Sequence, residues 1–263
     1  MKKIFQKKPI LFLDILTHEH QLKKRVEQTI YKTSYAEYVR RMCGIAKSDF
    51  LVVDASRKKF PPLTKFAGLI IGGSFIDPVR PKEQVWVEKT FMFVQKVADA
   101  KIQILGICGG LQFTVRALNG KIIYNPRGRN FGTNEITLTK EGVRSPLFQG
   151  LHKKIVMPSS HRCIVKKLRP GWKLLAHSRK TPIEALTIGN TVFLVQFHPE
   201  MSPRIVQGIA RMRKAALTEE GFFRHISFSQ FLKNIHDTRA HGKIILRNFL
   251  REVQHTKQSL SEQ

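Results

Sequence analysis

Through the first 120 positions, apolar residues fall in short, nearly continuous runs separated by stretches with helical spacing. The runs are residues 10–16, 50–54, 66–71 and 102–107. Short, continuous and rich in Ile, Leu and Val, they read as strands buried on both faces. Between them, residues 20–42 place Tyr35, Tyr38, Val39 and Met42 at helical spacing, and residues 83–100 form an amphipathic helix. Strands alternating with helices specify a mostly parallel sheet covered on both sides, and such sheets carry their sites beyond the carboxyl ends of the strands.

After Gly120 the pattern turns to strands: 121–124, 134–139, 154–157, 172–176, then 183–188 and 192–197 joined by a turn at Gly189-Asn190. Helical spacing returns past Glu200, with Ile205, Ile209 and Met212 on one face and Ile245, Phe249 and Val253 on a second. Residues 218–242 are less regular and read as a lid or a helical insertion, with Phe222, Phe223, Phe228 and Phe231 as its buried side. The last ten residues read as frayed. The expected organisation is a single domain over 1–263, with a core over about 9–200, an insertion over about 203–242 and a closing helix over about 243–255.

Composition narrows the class. Hydrophobic residues make up 42%, enough for a real core, and no run approaches the ~20 apolar residues of a membrane span. Met1-Lys2-Lys3 and the apolar run after it stop at Asp14 without a small-residue cleavage site, so the run reads as a strand rather than a secretory signal. Three cysteines, Cys43, Cys108 and Cys163, are too few and odd in number for a disulfide scaffold, which favours a cytoplasmic protein. The net charge of +27 makes nucleic acid or an acidic partner a standing suspicion, sharpened by the absence of any acid over residues 142–183. No zinc-finger spacing or aromatic RNA-binding pattern accompanies that charge, and nucleic acid stays the weaker reading. His18-Glu19-His20 lacks a third ligand, and neither a metal nor a cofactor is expected.

One heptapeptide carries chemistry: Gly106-Ile107-Cys108-Gly109-Gly110-Leu111-Gln112 follows a buried strand and precedes a helix at 113–118. That context turns G-x-C-x-G into a nucleophile elbow, a tight strand-to-helix turn that exposes the sulfur. Cys108 would sit at the positive end of the helix, which favours thiolate, with the Gly109 amide facing a developing oxyanion. A thiol nucleophile needs a base and a group to orient it. Gln196-Phe197-His198-Pro199-Glu200 closes a strand, and in extended backbone His198 and Glu200 project to the same side.

The elbow GICGGLQ, with QFHPE ninety residues later, resembles the class I glutamine amidotransferases. Ile70-Ile71-Gly72-Gly73-Ser74 is similar to that family's oxyanion loop, and Pro158-Ser159-Ser160-His161 to the Ser-His segment of its guanylate-synthetase-like members. The resemblance implies a flavodoxin-like three-layer α/β/α fold and a Cys108, His198, Glu200 triad acting on a small γ-glutamyl substrate through a thioester. It further implies an oxyanion hole at Gly73 and Gly109, and substrate contacts from Gly72, Gln112, Ser160 and His161. The chain departs from the family where Ser-His is followed by Arg162 and Cys163 instead of a small residue and an acid.

A separate ATP-consuming synthase domain is not expected within these 263 residues. The leading reading is therefore a free-standing γ-glutamyl hydrolase. The alternatives are the glutaminase subunit of a two-protein synthase, and a binding module that uses the positive surface.

Overall fold

The structure, a computed structural model, describes residues 8–16, 20–56, 59–79 and 85–261. A nine-stranded sheet runs through the molecule. Its parallel part comprises, in spatial order, β2 (Phe50–Asp54), β1 (Ile10–Asp14), β3 (Gly68–Ile71), β4 (Gln103–Ile107) and β11 (Val192–Val195). It continues antiparallel through β10 (Ala185–Ile188), β9 (Trp172–His177), β6 (Asn130–Leu138) and β7 (Lys154–His161). A two-stranded ribbon pairs β5 (Ile122–Tyr124) with β8 (Cys163–Val165).

β1, β3, β4 and β11 read as apolar runs because both of their faces are covered, whereas β2, expected to be buried on both faces, is the edge strand and is only half-buried with Val52 exposed. Phe12, Ile70, Leu105 and Ile107 pack into one core with α2 (Tyr35–Cys43), α6 (Pro203–Met212) and α9 (Arg239–Ser261). Their neighbours Leu11, Leu13, Leu69, Ile71 and Ile104 pack into a second core with α3 (Val85–Asp99) and α4 (Gly109–Ala117). The period of two along each strand thus divides the side chains between two helical layers, giving an α/β/α architecture.

Several elements differ from the sequence expectation. The helix expected over 20–42 is α1 (His20–Val26), a π turn at Glu27–Tyr31, and then α2. Lys32 is left-handed (φ 60°) and ends the first segment, and the Ser34 side chain caps α2 by accepting from Glu37 N–H. The elbow helix begins at Gly109, not at position 113. β7 passes through Pro158 to His161, a position where proline is tolerated because β7 is the sheet's edge strand. Its partner β6 starts at Asn130, where Gly132 (φ 98°) interrupts the alternation that marks a strand.

The insertion holds α6, α7 (Lys214–Glu219) and α8 (Phe228–Lys233). Its phenylalanines stack on Phe131 of β6 and on one another, with ring centroids 5.2–6.4 Å apart. α9 runs from Arg239 to Ser261, longer at both ends than the expected closing helix, and its helical backbone extends through most of the stretch read as frayed. α5 (Lys140–Arg144) joins β6 to the segment before β7. Positions 83 and 84 of the expected α3, like His18 and Glu19, lie outside the described residues.

Candidate active site

Cys108 stands between β4 and α4 in a backbone conformation, φ 50° and ψ −98°, that a side-chain-bearing residue rarely adopts. Its neighbours make the bend affordable. A Cβ on Gly110 would lie 2.2 Å from Ile71 O, and one on Gly109 would lie 2.4 Å from Ser74 N, so only glycine lets α4 approach the loop after β3. The bend is pinned from below by Cys108 N–H, which donates to Val195 O at 2.8 Å. The sulfur therefore sits at the N-terminus of α4, beside first-turn amides that have no intrahelical acceptor.

His198 and Glu200 follow β11, and the chain end there is held on β7 by His198 N–H donating to Pro158 O at 2.8 Å. His198 Nδ1 is 2.8 Å from Glu200 Oε1, and Glu200 is fully buried. Burial alone would lower the imidazole pKa. The Glu200 carboxylate and then the Cys108 sulfur outweigh it, and His198 is raised to about 10. The ring lies within hydrogen-bonding reach of both groups, so sulfur, imidazole and carboxylate form a connected set.

Gly73 sits against this set, since a Cβ there would lie 3.4 Å from His198 Cε1. Its amide does not point freely at the sulfur, however. It donates to the Tyr35 hydroxyl at 3.0 Å. Gly72 packs on the Tyr35 ring, with 2.6 Å between its ideal Cβ and Tyr35 Cε1. Gln112 and His161 are both buried and both turned to Cys163 O, through Nε2 at 3.3 Å and Nδ1 at 3.1 Å. Burial, helped by His198 and the cations Arg129 and Lys180, outweighs the hydrogen bond to Cys163 O and pushes His161 down to about 3, so it is a neutral imidazole. Its Nε2 is buried with no hydrogen-bond partner.

A cavity opens on the sulfur, lined by Cys108, His198, Gly73, Tyr35 and Ser160. Its remaining wall is apolar, built from Val26, Phe75, Met201, Ile209 and Met212, with Arg213 the cation in the lining. Sequence reasoning missed Gln196, whose Nε2 is 3.7 Å from Cys108 Sγ and whose Oε1 is 3.4 Å from Gln112 Nε2. The signal was present: Gln196 precedes His198 by two positions in extended chain, as His198 precedes Glu200. It also missed Tyr35, Tyr31 and Arg213, which come from distant segments. Among the described residues no three His, Cys, Asp or Glu side chains are grouped to hold a metal, and no helix is long and apolar enough to cross a membrane.

The family model for glutamine amidotransferase class-I matches residues 18–211. Gamma-glutamyl peptidase 5 of Arabidopsis thaliana is 27% identical over 86% of this chain and 92% of its own length. A GMP synthase [glutamine-hydrolyzing] of Thermosipho melanesiensis is 32% identical over 60% of this chain but only 31% of its own length. The crystal structure of a glutamine amidotransferase from Thermotoga maritima superposes with a TM-score of 0.73, covering 95% of this chain and 100% of that one at 16% identity.

Proposed function

The chain belongs to the class I glutamine amidotransferase family, with its flavodoxin-like fold, and from that premise we propose that it is a cysteine-dependent γ-glutamyl hydrolase. The match to gamma-glutamyl peptidases and to GMP synthases supports a hydrolase of glutamine or γ-glutamyl amides. The observation that carries the cysteine mechanism is the Cys108 sulfur at the head of α4, with the His198–Glu200 pair beside it.

In this reading the Cys108 thiolate attacks the γ-carbonyl carbon and the carbonyl electron pair moves to oxygen. The Gly109 amide, at the first turn of α4, stabilises that oxyanion. His198, protonated and held by Glu200, gives its proton to the leaving nitrogen as the C–N bond breaks. This leaves a γ-glutamyl thioester and a free amine or ammonia. Water then attacks the thioester, His198 takes its proton, and glutamate departs as the C–S bond breaks and the thiolate returns. Gln196 Nε2 adds a weak hydrogen bond to the sulfur.

The wall of the cavity favours an amine over ammonia as leaving group. Val26, Phe75, Ile209 and Met212 offer an apolar surface that ammonia has no use for and an alkyl or aryl amine would bury. Arg213 supplies a counter-charge for a substrate carboxylate. The second reading, a glutaminase subunit feeding a separate synthase, rests on the GMP synthase similarity, where this chain spans about a third of the relative.

The test is to incubate the protein alone with glutamine, γ-glutamyl dipeptides and glutathione, and to measure glutamate together with ammonia or amine. Cys108→Ala is expected to lower turnover by at least about a thousandfold. Undiminished turnover by that variant would sink the mechanism. Silence of the wild type, with Cys108 still alkylated by a glutamine-like reagent, would favour the partner-dependent reading.

A further inference from the structure

One hydroxyl joins the two halves of the site. Tyr35, only 1% exposed, donates to Glu200 Oε1 at 2.9 Å and accepts from Gly73 N–H at 3.0 Å. The same carboxylate oxygen meets His198 Nδ1, while Glu200 Oε2 is buried with no hydrogen-bond partner. The rotamer of Glu200 is therefore set by two hydrogen bonds on one oxygen, and one of them comes from Tyr35. A buried phenol kept only for packing needs a single partner. This one uses both its donor and its acceptor capacity, on the two segments that flank the sulfur.

The ring is fixed as firmly as the hydroxyl. Tyr35 stacks edge-on to Phe12 at 5.7 Å and lies 5.1 Å from Tyr31, between ring centroids. Its backbone N–H donates to Glu27 Oε1 at 2.8 Å across the π turn, which locks the start of α2 to the first residue of that turn. π turns concentrate at functional sites, and this one delivers Tyr31 and Tyr35 to the same cavity. Burial and the Glu200 carboxylate both hold the Tyr35 phenol well above its ordinary pKa, so the hydroxyl keeps the proton it donates.

We propose that Tyr35 is a positioning residue for the γ-glutamyl hydrolysis argued above. Its hydroxyl ties the Glu200 carboxylate to the 72–73 loop, so that the orientation of His198 and the placement of the Gly73 amide beside Cys108 are set together. When charge develops on the substrate oxygen, the Gly73 N–H is released from the hydroxyl to that oxygen, while the donor bond to Glu200 persists. The family-level reading placed Gly73 in the oxyanion hole. In the resting enzyme Tyr35 occupies that donor instead.

The experiment compares Tyr35→Phe with wild type and with Tyr38→Phe. Tyr38 belongs to the same aromatic cluster, but its hydroxyl accepts from Ser202 N–H at 3.3 Å rather than bonding Glu200. Three quantities are read: kcat and KM on the best γ-glutamyl substrate, and the rate of Cys108 alkylation by iodoacetamide, which needs no substrate. Tyr35→Phe is expected to lower kcat by about tenfold to a hundredfold with KM within about twofold, and to slow alkylation severalfold, because the imidazolium that stabilises the thiolate is no longer held. Tyr38→Phe is expected to leave all three values in place.

Equal kcat and equal alkylation rates in Tyr35→Phe and wild type would overturn the proposal. If the wild type turns over no γ-glutamyl compound, the functional reading fails, yet slowed alkylation in Tyr35→Phe would still support the link and unchanged alkylation would still overturn it. Should Tyr35→Phe not fold, 3-fluorotyrosine at position 35 keeps the ring and sharpens the donor. An alkylation rate there identical to wild type would likewise overturn the proposal.

Discussion

Glu184 is a fully buried carboxyl whose Oε1 accepts from Ser178 Oγ at 2.7 Å and Asn130 Nδ2 at 3.2 Å, while Oε2 has no partner. Burial overrides those hydrogen bonds and raises its pKa from 4.5 to about 7. Between those values the folded protein holds a proton that the unfolded chain has lost, so stability falls as pH rises through the window. Above pH 7 the full penalty, about 3 kcal/mol, is in force. Glu184→Gln keeps the accepting oxygen and cannot ionise. It is expected to raise the melting temperature by several degrees at pH 8 and to match wild type near pH 4.5, with thermal melts across pH as the check. Identical melting curves at pH 8 would show that Glu184 ionises at little cost. At this scale the sequence was uneven. Cys108, His198 and Glu200 were legible because each lies in a local motif whose geometry follows from adjacent residues. Tyr35 was not, because it stands 165 positions from the carboxylate it bonds, and its helical spacing marked it only as core.

Elements were legible where one physical pattern dominated. β1, β3 and β4 announced themselves by apolar runs, and α3 by its amphipathic stripe, because each is buried in a single way along its length, while the apolar run of β2 concealed that it is a half-buried edge strand. The reading failed where local chemistry cut across the pattern. Ser34 precedes Glu37 by three positions, the spacing of a helix start, yet the apolar positions on either side carried the expected helix through it. Pro158 ended a strand on paper that the edge position of β7 lets continue. α9 offers a test at this scale, since Gly242 lies against the segment between His198 and Glu200. A Cβ on Gly242 would sit 1.9 Å from Pro199 O, an impossible distance without movement. Gly242→Ala is expected to destabilise the fold by about 1–3 kcal/mol. It should also reduce turnover more than other α9 substitutions of equal cost, by displacing the chain that carries the imidazole. Denaturant melts paired with kcat would show it. A loss of stability with full activity would mean that α9, and not the 198–200 segment, gives way.

The whole molecule carries 46 Lys and Arg against 19 Asp and Glu, a formal net charge of +27. Their effect reaches the site. Arg129 and Lys180 act on His161, Arg129 and Arg162 on Cys163, and Arg213 lines the cavity itself. A cleft with a positive field gathers anions, and every γ-glutamyl compound presents an α-carboxylate. Raising ionic strength from about 10 mM to about 100 mM shortens the screening length from ~30 Å to ~10 Å. Two consequences follow in opposite directions. The fold is expected to gain a few degrees in melting temperature, because self-repulsion is screened. For γ-glutamyl dipeptides and glutathione, whose second carboxylate makes them net anions, the same change is expected to lower kcat/KM severalfold while leaving kcat in place, because capture of the anion weakens and the chemistry after capture does not. If the positive surface serves a nucleic acid instead, a short duplex will bind with a steep salt slope that is identical in wild type and Cys108→Ala, and kcat/KM will be indifferent to salt. A kcat/KM that falls with salt, beside weak duplex binding, assigns the charge to the substrate.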